Sequence, residues 1–197
     1  MIVTLKLLPG AAVSESELAQ TLGIGRTPIR EALQRLARES LVSIFPRRGI
    51  IVSEINLKKQ LRLLEVRREI ERLIARSAAR RATDEERAGL KELAAGFEAA
   101  AKVNDHVAFL RIDREFNTLC SVAAHNEFAA LAMGLMHSLS RRFWYIHFRQ
   151  AANLPLTARL HANIARAIAA GDEERAATAS DKLLDAIDRF TRDTTDM

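Results

Sequence analysis

The sequence has one cysteine in 197 residues, so it holds no intrachain disulfide framework and no multi-cysteine zinc cluster. A single thiol is also no sign of an oxidising compartment. Cys120 sits in an apolar helical stretch and reads as a small buried hydrophobe. Four prolines and eight glycines are too few for a turn-rich all-β fold and favour helices. No run of about 18 apolar residues occurs, which excludes a membrane-spanning helix. The N-terminus, MIVTLKLLPG, has one lysine, a short apolar stretch and no small-residue cleavage site, so it does not read as a signal peptide. A cytoplasmic protein is expected.

The 48% hydrophobic and 28% charged residues are the mix of a folded globular chain. Its length allows one domain or two small ones, with a core that needs no cross-links. The formal net charge of +5 permits a polyanionic partner. Whether it implies one depends on where the charge sits.

The chain changes character near residue 55. Pro9, Pro28 and Pro46, with Gly10, Gly23, Gly25 and Gly49, fall in the first fifty residues. Beyond Asn56 come long stretches rich in Ala, Leu, Arg and Glu. The expected division is 1–55 and 56–197, with no internal repeat.

In the first module Pro9-Gly10 marks a turn. Ser14 with Glu17 is a capping-box pattern that opens a short helix. Leu18 and Leu22 form its apolar side, and Gly23 closes it. Thr27 as N-cap and Pro28 as the first helical residue open a second helix. Its inward stripe is Ile29, Leu33 and Leu36, while Arg30, Gln34 and Arg38 point away. Val42 and Ile44, then Ile50 and Val52, flank a Pro46-Arg47-Arg48-Gly49 loop and read as a hairpin. Helix, turn, helix and a basic-tipped hairpin make a winged helix-turn-helix. Arg26, Arg30, Arg35, Arg38, Arg47 and Arg48 face only Glu31 and Glu39 in this stretch. A solvated basic face would show the same excess. Here the arginines gather at the second helix's N-terminal end and at the wing tip, the places where such a motif meets DNA.

These residues resemble the DNA-binding domain of GntR-type bacterial transcription regulators. The carrying elements are Pro9-Gly10, Leu18-Ala19, Arg26-Thr27-Pro28, Arg30-Glu31-Ala32-Leu33, and Pro46, Gly49 and Val52. The resemblance assigns DNA contact to Arg26, Thr27, Arg30, Arg47, Arg48 and Gly49. Two departures stand out. Gly25 replaces the usual Ser, and only eight residues precede the PG turn where the family has a full helix. Either the native start lies upstream or that helix is missing, and Leu5, Leu7 and Leu8 are expected to lack partners.

The second module reads as six helices: 56 to about 82, with Leu61, Leu64, Ile70, Leu73 and Ile74 inward; 83 to about 103 behind a Thr83–Glu86 capping box; 105 to about 124; 127 to about 151; 153 to about 169; and 171 nearly to the end. They are expected to pack as an all-α antiparallel bundle. The Phe143-Trp144-Tyr145 triplet fits core or dimer surface better than a stacking platform.

This module resembles the FCD effector-binding domain of the FadR subfamily, through Glu65 to Glu71, Arg80 to Glu86, Asp113 to Asn117, Ala123 to Phe128 and His161 to Ala177. The resemblance implies a homodimer on a palindromic double-stranded DNA operator. It also implies a small-molecule effector, a small organic acid, bound by Arg67, Asp113, Asn117 and His161. Many such domains hold a divalent metal with an Asp and three His. Here Asp113 and His161 match two of the positions, while Asn117 and Leu183 stand at the others. Asn is a poor transition-metal ligand and Leu is none, so a metal-free pocket is expected, with a weak divalent site at Asp113 and His161 disfavoured. Arg67 suits a bidentate grip on a carboxylate, and equally a surface pair with Glu71 at i, i+4. The alternative function is a helical enzyme or metal-binding protein with an appended nucleic-acid module. No Ser/His/Asp set, phosphate loop or convergent carboxylate pair supports catalysis, so no catalytic residues are assigned.

Overall fold

A computed structural model describes residues 1–46, 49–151 and 153–194, with side chains given except at 148–151. The elements in chain order are β1 Ala12–Val13, α1 Glu15–Leu22, α2 Arg26–Arg38, β2 Val42–Phe45, β3 Gly49–Val52, α3 Leu57–Arg81, α4 Asp84–Lys102, α5 His106–Ala123, α6 Glu127–Ala151, α7 Leu154–Ala169 and α8 Glu173–Asp193. They form two compact units. The first is Met1–Gln60 with Leu135–Arg149, and the second is Leu61–Gly134 with Gln150–Met197. A boundary at residue 55 does not anticipate that 135–149 group with the N-terminal module.

The first unit is built around a three-stranded antiparallel sheet, order β1-β3-β2. The hairpin register pairs Val42 with Val52 and Ile44 with Ile50, as alternation suggests. Gly49 opens β3 at φ +89°, a conformation that side chains with a Cβ disfavour. The two-residue β1 was not legible, being too short to show a period of two. It is fixed by Gly10 donating to the Val52 carbonyl and Val52 to that of Ala11, both at 2.9 Å.

Ile29 and Leu33 of α2 pack with Leu41, Val42, Ile50 and Val52. Ile2 joins this core, and Leu7 and Leu139 pack against it. The expectation that Leu7 lacks partners is therefore corrected: turns, not a helix, deliver the N-terminal segment to the core. Leu8 is 61% exposed, as is Leu22 at 49%, so Leu22 is not part of an inward face of α1. Gly23, at φ +67°, ends α1 as expected. The Ser14 capping box does not form; its hydroxyl meets Ser16 instead.

The second unit is all-helical among its described residues. α4 packs along α7, α7 on α8, and α5 on both α4 and α7. Buried Ala94, Ala158, Ala162, Ala165 and Ala176 let these axes approach closely. The Thr83–Glu86 capping box is present, and Asp105, Asn153 and Asp172 cap α5, α7 and α8 through their side chains. α3 runs against α8 through Arg68–Asp185 at 2.7 Å, Arg72–Asp181 at 3.0 Å and Arg76–Glu174 at 3.2 Å. The four-residue spacing of Arg68, Arg72 and Arg76 puts these cations on one stripe. Arg87 ties two helix ends together, donating to Ala79 and Ala82 of the α3 end and to Ile168 of α7. Leu73, expected inward, is 47% exposed; Leu64 and Ile74 are buried.

Candidate nucleic-acid interface and effector cluster

α2 begins one residue after Gly25, an extended N-cap without a side-chain bond. Thr27 is therefore the second helical residue rather than the cap, and Pro28 the third. No intrahelical acceptor is lost there, since first-turn N–H groups have none. No acidic side chain occupies this first turn. Arg26, Thr27 and Arg30 are exposed around it, so backbone donors, the helix dipole and two guanidinium groups share one surface. Gly49 is exposed at the start of β3. Arg47 and Arg48 lie outside the described residues.

Arg30 is not solvated on all sides. Its Nε and Nη2 donate to the Glu15 carboxylate at 3.1 and 2.9 Å. The hydrogen bond from Arg30 holds the Glu15 carboxyl below its ordinary range, helped by the Arg30 and Arg26 charges. Glu15 had been read only as helix sequence; a carboxylate fifteen residues before an arginine gives no local periodic signal.

In the second unit the structure brings Asp113, Asn117 and His161 together. Asn117 Nδ2 donates to Asp113 Oδ1 at 3.0 Å and to its backbone carbonyl at 2.8 Å. His161 Nδ1 lies 2.8 Å from the Thr157 carbonyl, which can only accept, so Nδ1 carries a proton. His161 Nε2 lies 3.1 Å from Asp113 Oδ1. An ionised carboxylate also only accepts, so a hydrogen bond here needs a second proton, on Nε2 or on the acid.

Three aromatic rings enclose this imidazole: Phe97, Phe109 and Phe116, with centroids at 5.0, 5.5 and 5.6 Å. Sequence reading missed them because they lie on two helices, α4 and α5. Leu183 is buried and offers no donor atom. The four positions thus hold two strong metal donors, an amide turned to Asp113 and an alkyl group, which does not fit the metal set of the resembled domains. Among the described residues no group of three His, Cys, Asp or Glu could hold a metal.

Arg67 is buried rather than superficial, and its Nε donates to Glu71 Oε1 at 2.6 Å. Burial pushes the Cys120 thiol far up, and the Glu71 and Asp113 carboxylates add to the shift. The FWY triplet divides: Phe143 is 2% exposed and Tyr145 44%.

Residues 62–186 match the FCD domain, and residues 1–52 match the bacterial regulatory proteins of the gntR family. The chain belongs to the gntR family and carries an FCD domain. It is 27% identical to the Nta operon transcriptional regulator of Aminobacter aminovorans over 90% of this chain and 82% of that protein. An HTH-type transcriptional regulator in an unstable DNA locus of Streptomyces ambofaciens is 54% identical over 28% of this chain, and the match spans 24% of that relative. The fold is that of E. coli McbR/YncC, with a TM-score of 0.82 at 20% identity over 98% of this chain and 92% of that one. This gntR-family protein is a DNA-binding transcription regulator, not an enzyme. No described helix is long and apolar enough to cross a membrane.

Proposed function

We propose that this regulator binds a palindromic operator as a homodimer and that a small organic acid in its helical domain changes that binding. Residues 1–55 carry the DNA-reading role, through Arg26, Thr27, Arg30, Arg47, Arg48 and Gly49. Residues 56–197 carry sensing and dimerisation. The protein works in the cytoplasm, where operator DNA is. Family members bind DNA operators and usually act as dimers, and one recognition helix reads few base pairs unless a second copy doubles the site. Val66 and Leu73 on α3, and Phe128 and Leu131 on α6, are apolar and 47–75% exposed, which suits burial against a second copy.

The observation that carries the sensing role is the Asp113–Asn117–His161 cluster, in which a buried imidazole meets a half-buried carboxylate and amide. It sets a carboxylate and an amide against an imidazole that three phenylalanine rings enclose. Polar groups of this density in an apolar interior suit a ligand with matching donors and acceptors more than they suit stability. An acid bearing a hydroxyl or carbonyl would exchange hydrogen bonds with Asp113, Asn117 and the His161 imidazole and draw on the Arg67 cation. The pocket works without a metal, because Asn117 and Leu183 replace two of the ligands.

The test is thermal unfolding with a panel of small mono-, di- and hydroxycarboxylates, each with and without zinc. A ligand at a hundred times its Kd adds about 2.7 kcal/mol of stability. At least one acid should raise Tm in the parent and not in His161→Ala. A rise that needs zinc, or zinc held at one per chain by elemental analysis, would overturn the metal-free reading.

A further inference from the structure

We propose that Glu15 is a positioning residue for DNA reading, holding Arg30 side-on so that the free end of its guanidinium is presented to a guanine edge. The proposal rests on the reading of Arg30 as a DNA contact. Glu15 is the first residue of α1 and Arg30 the fifth of α2, so the pair bridges the two helices of the helix-turn-helix. Its hydrogen bonds use Nε and one edge of Nη2, at 3.1 and 2.9 Å. Among the described residues Nη1 has no partner. Nη1 and the outer N–H of Nη2 therefore form an open two-donor fork at the tip of the side chain.

A guanine presents two acceptors in the major groove, O6 and N7, at the spacing such a fork fits. An arginine side chain is flexible, and much of the cost of using it for recognition is the freedom lost on fixing it. Glu15 removes part of that freedom before DNA arrives. The burials differ in the sense this role requires, with the Glu15 side chain 28% exposed and that of Arg30 62%. A carboxylate on a DNA-facing surface otherwise repels phosphate, so its placement against the recognition helix needs such a return.

The experiment compares the full-length parent, Glu15→Ala, Glu15→Gln, Arg30→Ala and the Glu15→Ala/Arg30→Ala double variant. The probes are the duplex that the parent selects from a pool with a randomised core and a scrambled duplex of the same composition. Glu15→Ala should lose about tenfold in the ratio of selected to scrambled affinity, a typical coupling between contacting residues. Its affinity for the scrambled duplex should hold or rise, because a negative charge has gone. Glu15→Gln, which keeps one acceptor, should retain part of the ratio. The double variant should match Arg30→Ala, since without Arg30 there is nothing to position. If Arg30→Ala discriminates like the parent, the assignment of Arg30 falls and the buttress with it. If Arg30→Ala loses discrimination while Glu15→Ala keeps it, or if the two losses multiply, the buttress alone is wrong. A Glu15→Ala protein that binds the selected duplex more tightly at unchanged ratio would make Glu15 only a repelling charge.

Discussion

Each unit of the molecule holds an arginine against a glutamate, and the surroundings give the two pairs opposite uses. Arg30 and Glu15 have side chains 62% and 28% exposed and join two helices; Arg67 and Glu71 are 8% and 14% exposed and lie on one helix. In water an ion pair contributes little to stability, so the outer pair can serve orientation, leaving the far edge of the Arg30 guanidinium open to a second partner. Inside, each member gives the other a charge-assisted bond that water does not replace, so losing either costs more than it does at the surface. The DNA-reading unit keeps its cations available, and the bundle keeps its own satisfied.

The sharpest way to break this contrast is to remove one anion from each unit. Glu71→Ala should cost about 1.5–3 kcal/mol of stability, by taking a charged acceptor from a buried guanidinium. Glu15→Ala should leave Tm unchanged within error. Denaturant unfolding of both variants checks the pair, and equal losses would erase the distinction.

A smaller loss is expected in the bundle from Arg87→Ala. It removes charge-assisted donors to carbonyls at the ends of both α3 and α7. The Ile168 carbonyl keeps the Gly171 N–H at 3.0 Å, so the expected cost is about 1–2 kcal/mol. Arg87→Lys should recover only part of it, because one ammonium cannot span both helix ends.

Arg142 sharpens the contrast from the other side, as a cation of the DNA-reading unit that is 2% exposed. Its Nη2 donates to the Glu54 carbonyl at 3.0 Å, while Nε and Nη1 have no partner among the described residues. Burial pulls its pKa down, opposed by Glu54. Arg142→Met keeps the volume and removes the stranded donors, so stability should rise by about 1–2 kcal/mol. A fall of that size would show that the buried guanidinium stabilises the unit and would overturn this reading.

The smallest effect is in acid. Glu15 is held below its ordinary value of 4.5, first by the Arg30 hydrogen bond. A carboxylate with a depressed folded pKa contributes stability above its unfolded pKa and loses it as pH falls through the folded one. The pair should thus persist from neutral pH to below 4.5 and vanish under stronger acid. A carboxyl NMR titration should place Glu15 below its ordinary value in the parent and return it there in Arg30→Ala.

How much of this could be read from the sequence follows from the range of each interaction. The helices, their caps and the hairpin rest on neighbours a few residues apart, and nearly all appear where periodicity puts them. Thr83 and Glu86, three residues apart, form their box; Ser14 and Glu17 have the same spacing, but the Ser14 hydroxyl meets Ser16 and caps nothing. The α2 start was misplaced because Gly25 serves as an extended N-cap and needs no side chain. Asp113, Asn117 and His161 were nameable through the family pattern. Their phenylalanine enclosure and the neutralising Glu71 were not, since those contacts depend on helix packing rather than spacing. Leu139 and Arg142 joined the DNA-reading unit from more than eighty residues beyond its last strand, as little β1 joined it from before the first helix.

The most direct test of the account is the operator affinity of the parent and of His161→Ala, measured by fluorescence anisotropy on the selected duplex across the carboxylate panel. The account requires that at least one acid shift the parent's Kd by about 5- to 150-fold, the usual range of coupling between sites, and leave His161→Ala unmoved. An acid that shifts both proteins equally, or a panel that shifts neither, would contradict it.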